Sequence, residues 1–295
     1  MTLEQLRIFI AVAEREHVTR AAAALHLTQA AVSASIAALE QQCGAKLFDR
    51  IGRNIVLTQT GRLFLPEARE VLARARTAQA VLDDIAGLRQ GRLRLYASQT
   101  IASYFLPAIM AGFRAKHPGV ALDLAIGNTV QVARAVREGL AELGFVEGPL
   151  SDPDLLVKPV ATDQMSIFVA PAHPWAEGAA LTPADLLTQS WVFREEGSGT
   201  REAFVAGLAA RGLDAARLPI ALTLPSNEAV REAAIAGVGA ACLSSAVCTH
   251  AVRAGALVQV QFVLPARLLC AVQHSERYVT QVASAFLAAV REKKA

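Results

Sequence analysis

Aromatic residues are scarce in this chain: they make up 5% of its 295 residues, although 53% is hydrophobic. Its cores must therefore be built mainly from Ala, Val, Leu and Ile. No apolar run reaches the roughly 18 residues that span a membrane, so no membrane partner is expected. The start, from Met1 to Glu14, lacks the basic and apolar regions of a secretory leader, and its charges alternate with apolar residues at helical spacing. The four cysteines, Cys43, Cys242, Cys248 and Cys270, form neither a CxxC pair nor a Cys–His zinc spacing. They suit small buried residues of a reduced, cytoplasmic protein rather than a disulfide framework or a metal site. Ser-His-Asp and Cys-His sets with motif context are missing, as is any dinucleotide fingerprint. An enzyme is not expected, and neither is a cofactor.

A strong overall charge is also missing. The net value of +3 does not announce a nucleic-acid partner. Locally, Lys46, Arg50, Arg53 and Arg62 stand against Asp49 alone. Such a cluster can hold phosphates, or it can be an ordinary solvated face.

What is present falls into two textures. Residues 1 to 90 contain one proline, Pro66, and read as nearly all helix. Beyond Gly91, short apolar strands alternate with amphipathic helices, so the main boundary is expected near Gly87 to Gly91. Thr2 is suited to cap a first helix bearing Leu3, Leu6, Ile10 and Ala13 on one stripe, widened by Phe9 and Val12. Thr19 is expected to cap a short Ala-rich helix, and Thr28 a third helix that ends at Gly44. In that third helix Val32, Ile36 and Leu39 face a core. The opposite side carries Ala30, Ser33, Ala34 and Ala37, with Gln29 at its start. A row of small residues lets a helix press into a groove while Gln29 and Ser33 bond to base edges. The alternative is a helix that is Ala-rich because it is buried. Ile51 and Ile55 to Leu57 then flank Gly52-Arg53-Asn54, which suggests a small hairpin with Arg50 and Arg53 beside it: the wing of a winged helix.

From Thr58 or Thr60 to about Ile85, Phe64, Ala68, Val71, Ala75, Ala78, Leu82 and Ile85 recur with heptad spacing. This is expected to be a dimerisation seam, unless the stripe packs on its own chain. Pro66 is expected in the first turns, where a missing N–H costs least. In the C-terminal part, polar turns follow successive strands: Ser98-Gln99-Thr100 after residues 91–97, Gly127-Asn128-Thr129 after 120–126, Arg194 to Arg201 after Trp191-Val192-Phe193, and Pro225-Ser226-Asn227 after 222–224. A repeated strand, polar turn and helix argues for an α/β sheet with ligands at the strand ends. The hydroxyls and free N–H groups at those helix starts favour an anion, and Gly199 between Ser198 and Thr200 lets backbone come close. Each Ser or Thr can equally be a helix cap.

The N-terminal residues resemble the LysR family of transcriptional regulators. The resemblance rests on Leu6-Arg7-Ile8-Phe9, on the run from Thr19 to Ser33, on Ile36-Ala37-Ala38-Leu39-Glu40, on Gly44 to Arg50 and on Leu57-Thr58-Gln59-Thr60-Gly61. The family often carries Pro or Ser in place of Ala30, and a long polar residue in place of Ala34. The resemblance implies a winged helix-turn-helix over residues 1–58, a linker and dimerisation helix over 59–90, and an effector domain over 91–295. That domain is of the type 2 periplasmic-binding-protein kind, with one subdomain over 91–161 and 267–295 and the other over 162–266. Thr19, Arg20, Thr28, Gln29, Ala30, Ser33, Ala34, Arg50, Arg53 and Thr58 would meet DNA. Ser98, Gln99, Thr100, Asn128, Thr129, Glu195, Ser198, Gly199, Thr200, Ser226 and Asn227 would meet a small effector. The hydroxyl-rich set is similar to that of regulators that sense anions. Phe64, Val71, Leu82 and Ile85 would join protomers into dimers, and effector domains would pair dimers into tetramers. Promoter DNA, the effector, a second copy and RNA polymerase are the partners so implied, for an activator or a repressor. A solute-binding protein shares the second fold but leaves residues 1–90 unexplained, and an architectural DNA-binding protein leaves the α/β domain unexplained.

Overall fold

In the computed structural model, residues 1–51, 54–84, 91–148, 150–178 and 180–292 are described. Arg53, Ile85 and the expected boundary at 87–90 lie outside them. The chain divides into two compact units, Met1–Leu82 and Asp83–Ala295.

The first unit begins with α1 (Leu3–Arg15), α2 (Val18–Leu25) and α3 (Gln29–Cys43). Thr2 and Gln5 form a reciprocal capping box, with Thr2 N donating to Gln5 Oε1 at 2.8 Å and Gln5 N to Thr2 Oγ1 at 3.2 Å. His17, not Thr19, caps α2: its Nδ1 accepts from Arg20 N, which leaves Thr19 inside the helix. Thr28 caps α3 through Ala31 N, and Gly44 ends it with φ +65°. Leu6, Phe9, Val12, Ala21, Val32, Ile36, Leu39 and Leu47 close one apolar core. Strands β1 (Phe48–Ile51) and β2 (Asn54–Leu57) pair antiparallel as the expected hairpin.

Next comes α4 (Gln59–Asp84). Its first turn lies so near the entry to the hairpin that a Cβ on Gly61 would sit 2.1 Å from Leu47 O. Pro66 is the eighth residue of this helix, in its early turns but past the first four N–H groups that lack a partner, and so removes an internal hydrogen bond. Phe64 and Ala68, expected on a dimer seam, instead pack into the unit's own core beside Leu65 and Leu72. Phe64 lies 5.1 Å from Phe9, centroid to centroid. Val71 and Leu82 are exposed, as are Leu63 and Val81.

The second unit holds two five-stranded sheets. In chain order the elements that enclose the first are β3 (Gly91–Ser98), α5 (Leu106–Lys116), β4 (Val120–Gly127), α6 (Thr129–Arg137), β5 (Leu143–Glu147) and β6 (Leu155–Asp163). The second takes β7 (Met165–Val169), β8 (Trp191–Arg194), α7 (Gly199–Ala209), β9 (Ile220–Leu224), α8 (Asn227–Ile235), β10 (Ala240–Ser244), α9 (Ser245–Arg253) and β11 (Val258–Gln259). The chain then returns to the first sheet with β12 (Arg267–His274) and α10 (Gln281–Glu292). Strand orders are β4-β3-β5-β12-β6 and β11-β7-β10-β8-β9. In the first sheet β3 runs parallel to β4 and β5; in the second, β8 runs parallel to β9 and β10. Strands β5, β8 and β10 are buried along their whole length, as parallel strands covered on both faces should be. Asp163 and Arg267 are register partners in the β6–β12 pair, at the two points where the chain passes between the sheets. No single helix among the described residues is long and apolar enough to cross a membrane.

Candidate DNA-binding surface and effector cleft

On α3, Val32, Ile36 and Leu39 are buried, whereas Gln29, Ala30, Ala34 and Ala37 are exposed and Ser33 is half-buried. The small-residue face therefore points to solvent. Thr19 donates its hydroxyl to Gln29 Oε1 at 3.2 Å, which steadies the amide and leaves Nε2 free to donate. Thr28 accepts from Ala31 N, and its proton remains for an outside acceptor. Arg20 and Arg50 are exposed. Thr58 does not belong with this group. It donates to Lys46 O at 2.8 Å and accepts from Gly61 N at 3.0 Å, so its hydroxyl holds the start of α4. A hollow of about 380 Å³ between α3 and the hairpin is lined by Ser33, Ala37, Lys46 and Arg50.

Glu40, unnoticed in the sequence beyond its place in the family motif, sets the hairpin against α3. Its carboxylate accepts from Leu47 N at 2.9 Å, Phe48 N at 3.1 Å and Lys46 Nζ at 2.6 Å. Burial acts to raise its pKa, but Lys46 and the two amides outweigh that and hold it below the usual value.

In the second unit the C-terminal ends of the parallel strands carry Ser98, Glu147, Arg194 and Ser244. Side chains at and beside these ends are joined by hydrogen bonds from one sheet to the other, at the position where open α/β sheets hold ligands. Asn227 is fully buried and joins both sides. Its N–H donates to Gln99 Oε1 at 2.7 Å, its Nδ2 to Thr100 Oγ1 at 3.0 Å, and its Oδ1 accepts from Arg194. Gln99 Nε2 donates to Glu228 at 2.8 Å. Across the same cleft Asn128 Nδ2 approaches Glu195 Oε1 and Glu196 O at 3.5 Å each. A Cβ on Gly199 would lie 2.7 Å from Thr129 Oγ1 and 2.9 Å from Glu147 Oε2, so only glycine permits this approach.

Two arginines that the sequence analysis did not single out complete the site. Arg267 is 5% exposed. It donates to Thr100 Oγ1 on one side at 3.2 Å and to Thr200 Oγ1 on the other at 3.1 Å. It pairs with Asp163 at 2.7 Å and lies 3.8 Å from Glu147. Arg194 forks onto Glu195 at 2.7 and 2.9 Å. Burial works to raise the Glu195 pKa, but the Arg194 bonds and charge prevail and lower it. The readable signal was an arginine at the very end of an apolar strand, as in Trp191-Val192-Phe193-Arg194 and Arg267-Leu268-Leu269.

Some of the expected residues serve as helix caps. Ser226 caps α8 through Ala229 N, and Asn128 caps α6 in a box with Gln131. By contrast, Ser98 Oγ and Thr129 Oγ1 are buried with no hydrogen-bond partner. Helix α7 begins at Gly199, earlier than expected, and no side chain caps it.

Residues 3–62 match the family model described as bacterial regulatory helix-turn-helix protein, lysR family, and residues 86–295 match the LysR substrate binding domain. Over 97% of its length the chain is 35% identical to 96% of an uncharacterized HTH-type transcriptional regulator, YeiE, of Escherichia coli strain K12. It superposes on full-length CbnR in complex with its target DNA with a TM-score of 0.69 at 22% identity, covering 99% of each chain. The regulatory domain of CcmR from Synechocystis PCC6803, in complex with 2-PG, matches 70% of the chain and 98% of its own, with a TM-score of 0.64 at 25% identity.

Proposed function

Because this chain belongs to the LysR family of transcriptional regulators, we propose that it reads promoter DNA through α3 and the hairpin under the control of a small, weakly charged anion in its cleft. Acting on promoter DNA, it would work in the bacterial cytoplasm. The relatives are named as regulators, not as enzymes. Gln29 and Ser33 read base edges; Arg20, Thr28, Arg50 and Arg53 hold phosphates.

One observation carries the anion. The uncapped start of α7 lies against the unpartnered Thr129 hydroxyl, and Ser98, also unpartnered, ends a strand of the same cleft. Free helix-start N–H groups with buried hydroxyls and Arg267 beside them make an anion site. Charge limits its occupant. Arg194 and Arg267 face the carboxylates of Glu147, Asp163 and Glu195, so an anion of high charge would meet repulsion from carboxylates already in place. The 2-PG bound by CcmR is a compound to test against that limit on charge.

The test is calorimetry on the full chain with 2-PG and a panel of small inorganic and carboxylate anions. Thr129→Ala and Thr200→Ala should each weaken the binding anion by about 1–3 kcal/mol, the loss of one buried hydrogen bond. Equal affinity in both variants would move the pocket elsewhere. A neutral or aromatic effector would remove the anion and leave the regulator.

A further inference from the structure

The last residue of α4 breaks a local rule. Asp84 stands at the C-terminal end of a helix with no basic residue in its last turn. A carboxylate there is opposed by the helix dipole. Yet Asp84 is 5% exposed, and a buried charge set against its own helix needs a strong partner elsewhere. It finds two. Tyr278 Oη donates to Asp84 Oδ2 at 2.7 Å, and Gln281 N, the first amide of α10, donates to Asp84 Oδ1 at 2.8 Å. The charge unfavourable to α4 thus sits at the N-terminal end of α10, where it is favourable.

The residue before Tyr278 has a second attachment. Arg277 donates from Nη1 to Val136 O at 2.9 Å and from Nη2 to Arg137 O at 2.6 Å. These are the last carbonyls of α6, whose first residue is Thr129, the cleft residue with the unpartnered hydroxyl. Helix α6 has nine residues, so its ends are about 13 Å apart. Val132, Ala133 and Val136 bury it in one apolar cluster with Val146, Cys270 and Val272. A short helix packed in this way shifts as a unit.

We propose that Arg277, Tyr278 and the start of α10 form a relay from the effector turn to the linker helix: α6 moves with the occupant of the cleft, Arg277 follows the end of α6, and Tyr278 and Gln281 carry Asp84 with them. The relay rests on the sensing role proposed above, and the experiment separates the two. A signal passes only if the occupied and empty cleft differ in free energy for the two placements of α6.

The test needs no effector. Gly199→Ala drives a methyl group toward Thr129 Oγ1 and so displaces the start of α6. Cys43, in the DNA-binding unit, is exposed, whereas Cys242, Cys248 and Cys270 are buried, so a nitroxide label goes to Cys43 in the full chain. Pulsed dipolar spectroscopy then reads the Cys43–Cys43 distance within the oligomer. Gly199→Ala should shift that distance. Tyr278→Phe should reduce the shift, and Asp84→Ala should abolish it, with the helical spectrum of each variant unchanged. A full shift in the Asp84→Ala background overturns the relay and leaves sensing intact. No shift from Gly199→Ala alone also overturns the relay, while sensing stands or falls on the calorimetry.

Discussion

At the scale of single residues, the cleft depends on one guanidinium. Arg267 touches hydroxyls of both sides and two carboxylates, with 3% of its side chain exposed. Removing one partner of a buried ion pair leaves uncompensated charge, at a cost of about 3–5 kcal/mol. Arg267→Ala should lose about that much in a denaturant melt of the full chain, and Arg267→Lys clearly less; a loss under about 1 kcal/mol would mean that water already screens Asp163 and Glu147. On the DNA side, Gln29 is held by Thr19 so that its amino group is presented. An amino group reads acceptors such as purine N7. Gln29→Ala should cost about 1–3 kcal/mol of operator affinity and relax one base position. Thr19→Ala should relax the same position at smaller cost, because it frees the amide without removing it. Sites selected from random DNA by the three proteins decide this, and identical preferences would refute the base-reading role. These polar partners were the part of the molecule least legible in the sequence. Ser98 and Thr129 could be found because turns after strands are local. Arg267 and Asp163 could not, since their pairing depends on which strands the return of β12 brings together, and 104 residues separate them.

At the scale of elements, the sequence was most informative where periodicity and caps are local. The small-residue face of α3, its cap at Thr28 and its stop at Gly44 were all readable, because each depends on residues within a turn or two. The heptad on α4 was read correctly as apolar spacing and wrongly as a single surface. Phe64 and Ala68 belong to the unit's own core, since α4 starts against Leu47 and Leu57 and that side of its opening turns is already packed. The cap of α2 was misassigned for a similar reason: Thr19 is the better cap by type, but His17 is the residue left in extended conformation. The hairpin depends on Glu40. Its pKa is lowered in the fold, so its stabilising effect is present above the unfolded value of about 4.3 and is lost as pH falls through the folded value. The melting temperature of the wild-type protein should fall across that acid range. Glu40→Gln should be less stable at pH 7 and should show a flatter acid limb. A parallel acid limb in the variant would assign the fall to other carboxylates.

At the scale of the whole molecule, α4 still has an uncovered face. On a wheel of about 100° per residue, Leu63, Val71, Ala78, Val81 and Leu82 fall within one sector, and all are exposed. Leu63 and Leu82 are 69% and 62% exposed. A helix of 26 residues that leaves this stripe in water is poorly stabilised alone, and a second copy of the same stripe is the simplest cover. LysR regulators are oligomers, which makes α4 the element to test. The expected seam is the exposed sector rather than the Phe64–Ala68 line, so the two lines predict different variants. Leu82→Asp places a charge in the exposed seam and should lower the mass in light scattering. Ala68→Asp should instead unfold the first unit, because Ala68 is 0% exposed. DNA binding reports the same event independently. Two linked reading heads on two half-sites gain by effective concentration, often 10²-fold or more, and each phosphate contact adds about one to the slope of affinity against salt. A protomer freed by Leu82→Asp should therefore bind a two-half-site operator more weakly and with about half the salt slope, yet bind a single half-site as the wild type does. If Leu82→Asp keeps both the mass and the salt slope, the α4 seam is not the interface.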